Sequence, residues 1–203
     1  MTKKQDFFGE VVESSLQEWI TQSWNWDKFP EFGSIVAVKN GGTAIFGIVY
    51  QIKTGSIDSN RQAFTYQKTE EELLREQPQI FELLKTNFSC LILGYEENDH
   101  FFSMFASGPP KIHSFVRQAN LKEIQNIFKT TQYLQLIFNN SGIISNLDEL
   151  LIALIKNLTS LNLIDKNNFE EFIQTFSLLT RNDYFRLKLF MHRIDPILQL
   201  NNF

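Results

Sequence analysis

Apolar side chains follow two different rhythms along this chain, and the rhythm changes near Asn120. Before that point the apolar stretches are short, β-branched and bounded by turn residues, which is the mark of strands. Residues 34–39 form one such run. Asn40-Gly41-Gly42 follows, and 43–52 is the next run. Asn-Gly and Gly-Gly accept the positive φ of tight hairpin turns, so the pair predicts a β-hairpin. Gly47 inside the second strand predicts a bulge or bend. Residues 7–15 predict an opening strand, and 17–24 a second strand or its continuation, with Pro30 and Gly33 punctuating the loop beyond.

Residues 53–69 are polar and predict a long loop, with a short strand near Ala63-Phe64-Thr65-Tyr66. A helix is predicted from Glu70 to Arg75. Pro78 cannot sit inside it, because proline lacks the N–H and clashes with the preceding turn. It suits the first turn of a second helix over 79–84. The unbroken apolar run 88–95 predicts a buried strand, with 100–105 as its hairpin partner and 112–116 as the last strand.

After Asn120 the period moves from two towards 3.6. Leu121, Ile124, Ile127 and Phe128 share one helical face. A second helix holds Leu147, Leu150, Leu151, Leu154, Ile155 and Leu158, with Ser145 or Asn146 to cap it. Phe169, Phe172, Ile173 and Phe176 mark a third. Tyr184, Leu187, Leu189, Phe190 and Ile194 mark a fourth, which Pro196 is expected to end. The short linkers argue for a small antiparallel bundle.

Composition narrows the possible functions. Among 203 residues the hydrophobic share is 43%, enough for a packed core without staples. Phe is abundant at 20 residues while Gly and Ala are sparse, which reads as the codon bias of an AT-rich genome, such as a plastid or cyanobacterial one. The net charge is −4, and residues 121–203 carry 8 basic and 8 acidic side chains, so neither half has the basic excess of a phosphate-binding surface. One cysteine, Cys90, permits no internal disulfide, which fits a reducing compartment. No secretory signal and no apolar run long enough to span a membrane is visible. The expected location is therefore the cytoplasm, or the stroma if the chain is plastid-encoded.

Chemistry-bearing motifs are sparse. A phosphate-binding loop needs Gly followed by Lys and Ser or Thr, and no glycine here precedes a lysine. His100, His113 and His192 are far apart in sequence, and a lone cysteine cannot build a thiolate site. There is no Gly-x-Ser-x-Gly elbow. The carboxylate runs at 70–72 and 96–97 read as solvated faces. Hence no catalytic residue, metal site or cofactor is expected, and the chain is read as a non-enzyme. Trp19, Trp24 and Trp26 are clustered. They are candidate partner contacts, since tryptophan is enriched at interface hot spots; the other reading is that they cover one end of a barrel.

Two stretches carry a family resemblance. Phe32-Gly33-Ser34-Ile35-Val36-Ala37-Val38 with Phe46-Gly47-Ile48-Val49-Tyr50-Gln51-Ile52, and then Arg75-Glu76-Gln77-Pro78-Gln79-Ile80-Phe81-Glu82-Leu83-Leu84-Lys85-Thr86-Asn87-Phe88, resemble the HAS barrel, the domain shared by HerA-type ATPases and ATP synthase subunits. Leu93-Gly94-Tyr95 and Pro109-Pro110-Lys111-Ile112-His113 continue the likeness across residues 7–118. The resemblance implies a small closed β-barrel with a helical insertion, used to dock partners. It adds Arg75 and Gln79 to the candidate contacts. Where HerA has its ATPase motor, this chain has a helical stretch, so docking is carried over and the motor's activity is not.

The expected fold is therefore α+β: a barrel at 1–118, then a helical domain at 119–203. The expected function is that of a non-catalytic adaptor or assembly protein whose partner is another protein or a multi-subunit complex. The alternative is a nucleic-acid-associated factor of HerA-type DNA processing, since small barrels often bind oligonucleotides; a contiguous basic patch built from residues such as Lys39, Lys53, Arg61 and Lys68 would favour it.

Overall fold

A computed structural model describes residues 7–58 and 65–199. Strands β1 (Phe7–Ser14) and β2 (Glu18–Ser23) pair antiparallel, so the opening stretch is two strands joined by a turn rather than one. β3 (Ile35–Asn40) and β4 (Thr43–Ser56) form the hairpin expected at Asn40-Gly41-Gly42, with Gly41 at φ +65°. Helices α1 (Glu70–Glu76) and α2 (Gln79–Glu82) follow, then β5 (Leu84–Glu97), β6 (His100–Phe102) and β7 (Phe115–Gln118).

These strands close into a ring. β1 pairs with β2 and β7, β7 with β3, β3 with β4, β4 with β5, and β5 returns to β2. All the pairings are antiparallel. β6 is appended to the far end of β5 outside the six-stranded ring. Closure removes the unpaired edges that a flat sheet would present.

Several expected boundaries move. β4 and β5 are each 14 residues long. They pair with each other from Ala44–Glu96 to Ser56–Leu84, so the predicted loop begins later and α2 ends earlier, at Glu82. The turn before β6 is Asn98-Asp99, both at positive φ, as a two-residue hairpin turn demands. β6 stops at Phe102, three residues earlier than expected, and the last strand is displaced from 112–116 to 115–118. Of the short strand expected at 63–66, Ala63 and Phe64 lie outside the described residues, and Thr65 and Tyr66 are not in a strand.

The barrel interior is apolar and is filled by Val11, Trp19, Val36, Val38, Ile45, Val49, Phe88, Cys90, Ile92 and Val116. Trp19 is the largest of them and is wholly buried. Its indole N–H donates to Thr21 Oγ1 at 3.1 Å, which satisfies its single polar atom. Gly47 makes room for the ring. A Cβ built there would lie 2.5 Å from Trp19 Cη2 and 2.9 Å from the Leu91 carbonyl oxygen. The register of β4 against β5 shifts beside it, between Phe46 and Gly47, so the expected bulge is present and has a steric cause.

The outward side chains of β3, β4 and β5 are buried as well. Ile35, Ala37, Phe46, Ile48, Leu91 and Leu93 join one core with the helices. Strands covered on both faces read as unbroken apolar runs, which is why these three were the most visible in the sequence. The helices are α3 (Leu121–Ile127), α4 (Gln132–Asn139), α5 (Leu147–Ser160), α6 (Lys166–Leu179) and α7 (Tyr184–Gln199). α4 was not anticipated. It is short, and Thr131 makes no side-chain cap, so its start carries no signal. Pro196 does not end α7, which runs on to Gln199. At this exposed position in the last turns, proline removes only its own bond to a carbonyl one turn back.

The junction of the two parts is latched. Asn120 and Glu123 form a reciprocal capping box at the start of α3. Glu123 also receives two bonds from the Arg117 guanidinium of β7, at 2.6 and 2.8 Å. Burial alone would raise the Glu123 carboxyl. The Arg117 and Asn120 donors outweigh it and hold the group below its ordinary value of 4.5. A depressed carboxyl stabilises the fold at pH values above its unfolded pKa, and that contribution is lost as pH falls through the folded value.

Gly47→Ala is expected to destabilise the fold by about 3 kcal/mol in a denaturant melt, and by clearly less in a Trp19→Phe background, because the smaller ring vacates the space. Glu123→Gln is expected to cost about 1–2 kcal/mol at neutral pH. Melts repeated at falling pH should show this gap closing below the ordinary carboxylate range.

Candidate docking site

The three clustered tryptophans take three separate places. Trp19 lies inside the barrel, so it is removed from the candidate contacts; the same ring that suggested an interface is core filling. Trp24 leaves the end of β2 and packs edge-on against Phe7 and Phe115, at 6.4 and 5.1 Å between ring centroids. Its indole N–H donates to Glu10 Oε1 at 3.0 Å. Trp26 stacks on Phe81 of α2 at 5.6 Å.

The last contact belongs to the insertion between β4 and β5. Thr69 opens α1 with a capping box: the Glu72 N–H donates to Thr69 Oγ1 at 3.3 Å and the Thr69 N–H to Glu72 Oε2 at 2.8 Å. Pro78 is the N-cap of α2, one residue ahead of the first-turn place expected for it. The insertion is tied to the barrel near its base. Ile57 N–H donates to the Leu83 carbonyl at 2.8 Å, and Thr86 Oγ1 donates to the Trp26 carbonyl.

Neither α1 nor α2 buries a single residue. Helices of seven and four residues are too short to be stable from their own hydrogen bonds, so most helices of this kind are held by an apolar face against the core. Here Leu73, Ile80 and Phe81 are only partly covered, and other apolar side chains face outward. Leu74 on α1 is 51% exposed, and Ile57 and Leu83 at the base of the insertion are about half exposed. Arg75 and Gln79, both exposed, lie on the same two helices. The structure therefore brings Trp26, Arg75 and Gln79 to one region of the surface, together with Ile57, Leu74, Phe81 and Leu83. The apolar members were missed from sequence. Their only available signal was a helix of leucines and glutamates with no second apolar row to anchor it.

Lys39 and Lys53 do not converge. Lys39 ends β3 beside the hairpin turn, where it lines a groove of about 300 Å³ with Phe7, His113, Ser114, Phe115 and Arg117. Lys53 lies nine residues along β4 from Ala44, the cross-strand partner of Lys39, so about 30 Å away along the strand. Lys68 pairs with Glu76. Arg61 lies outside the described residues. Lys39 and Lys53 therefore do not share one contiguous patch, which removes a feature that would have favoured the nucleic-acid reading. Within the groove, Arg117 is engaged by Glu123 and His113 by Glu10 at 3.1 Å. Cys90 is in the barrel interior, where burial pushes its thiol up and keeps it uncharged. Among the described residues, no group of three or more His, Cys, Asp or Glu side chains is placed to hold a metal ion, and no helix is long and apolar enough to cross a membrane.

The geometry defines a class: a small closed antiparallel barrel interrupted by a two-helix insertion and backed by a helical layer. Residues 8–98 match the family model of the HAS barrel domain, and the chain carries that domain. The match covers five of the six ring strands and the insertion. The closing strand β7, at 115–118, and all the helices from α3 onward lie beyond it. No curated protein matches the chain.

Leu74 and Leu83 belong to neither hydrophobic core. Leu74→Glu combined with Leu83→Glu is expected to shift stability by no more than about 0.5 kcal/mol, read as an unchanged thermal midpoint.

Proposed function

We propose that this protein works by binding another protein, with the barrel as platform and the α1–α2 insertion as its docking face, and performs no chemistry of its own. The observation that supports this reading is the insertion itself: two helices with no fully buried residue, with Leu74, Leu83 and Ile57 about half exposed on the segment that carries the stacked Trp26–Phe81 pair. An apolar surface rimmed by charged and polar groups is characteristic of protein interaction sites. The aromatic pair offers the rigid anchor that interface hot spots use, and Arg75 and Gln79 supply polar contacts at its rim. The HAS barrel domain supports the same reading through its resemblance to barrels that dock partners. The test is affinity capture in the native cell with tagged wild-type and Leu74→Glu/Leu83→Glu chains at equal abundance. The expected result is a stoichiometric partner retained by the wild type and lost by the variant. Identical recovery by both chains would overturn the docking face.

A further inference from the structure

A second uncovered apolar surface lies on the helical half. Tyr184 and Phe185, at the start of α7, are 75% and 71% exposed; Leu178 at the end of α6 and Leu189 one turn along α7 are also exposed. Phe185 and Leu189 are four residues apart and so share one face of the helix. The exposed charges around them are mainly basic, Arg181 and Lys188, with Asp183 the acid among them. Arg186 is not part of this rim. Its guanidinium is turned to Asp148 at 2.6 Å and sits over the Phe176 ring.

The insertion has the opposite character. Around Leu74 and Leu83 it carries Glu70, Glu71, Glu72 and Glu82 against Arg75 and Lys85, the latter donating to the Ile57 carbonyl, while Glu76 is engaged by Lys68. One chain thus displays an apolar face with an acidic rim and another with a basic rim. Two copies meeting through the same face would bring like charges together in either case. Two copies meeting insertion to α7 would bury both apolar sets and pair the rims, and such complementarity sets which faces meet.

We propose that the occupant of the insertion is the α6–α7 face of a second copy of this chain, so that the protein associates head to tail. This rests on reading the insertion as a docking face and names its partner. A contact between two different faces leaves one of each unused at the ends of any assembly, so it propagates into a ring or an open chain rather than stopping at a symmetric dimer.

Sedimentation velocity on the purified full chain, over a wide concentration range, tests this directly. The wild type is expected to pass through dimer to larger species, with association weakening as salt is raised. Leu74→Asp/Leu83→Asp and Phe185→Asp/Leu189→Asp should each remain monomeric, with an apparent dissociation constant raised at least about tenfold. An equimolar mixture of the two variants should form a dimer and nothing larger, because it holds only one working pair of faces. The mixture also reports on folding, since each variant must present its intact face for the dimer to appear. A wild type that stays monomeric at every concentration, association unaffected by the Phe185→Asp/Leu189→Asp pair, or a mixture that stays monomeric would each overturn the head-to-tail assembly. Loss of captured protein by the Leu74→Glu/Leu83→Glu chain, alongside a monomeric wild type, would leave the docking face standing and transfer it to a different partner.

Discussion

The fit of one indole under one glycine governs the barrel. Trp19 comes from β2, a strand that must pair with β1 on one side and β5 on the other for the ring to close. A six-stranded ring has a narrow interior, and a tryptophan placed in it needs a facing position with no side chain. Gly47 is that position, and the register shift of β4 turns the strand around it. The rest of the interior is filled by Phe88, Cys90 and seven β-branched Val and Ile residues, whose stiffness suits a closely packed layer.

The second constraint is that the barrel is not self-sufficient on its outer wall. Six apolar side chains of β3, β4 and β5 point away from the interior and are covered mainly by the helices, with Phe101 of β6 against Phe46. The helices in turn share that core, in which Phe172, Phe176 and Phe190 stack in series. The change of rhythm near Asn120 therefore marks a change of secondary structure, while the apolar core continues across it. Arg117 and Glu123 secure the crossing point with a charge pair in which Glu123 Oε2 also accepts the Asn120 N–H at the start of α3.

Much of this fold was legible because burial leaves a periodic trace. The hairpin at Asn40-Gly41-Gly42, the doubly buried strands and the amphipathic helices α5 and α6 could all be read directly. Features set by tertiary contact could not. β4 and β5 continue past their apolar centres because each supplies the other's backbone partners, and polar residues such as Lys53 and Thr54 then ride on the ladder. The tryptophan cluster shows the limit for function. Trp19, Trp24 and Trp26 are neighbours in sequence, yet alternation along β2 sends the first inward and the loop beyond it carries the other two to different contacts. Exposure, which separates an anchor from a core residue, is a property of the folded surface.

The position of β7 bears on how the ring is made. β1 joins β7 through pairs such as Gly9 with Val116, so the closing seam unites the two ends of the barrel sequence. Five staves and the insertion precede it on the chain, and all can be assembled as an open sheet while β7 is still being synthesised. Until then β1 and β3 keep the bare edges that β7 will occupy, and loop closure over so long a separation is slow. The interval in which this protein is most exposed to mispairing is thus set by the arrival of four residues, Phe115–Gln118, directly ahead of the helix that locks them in place.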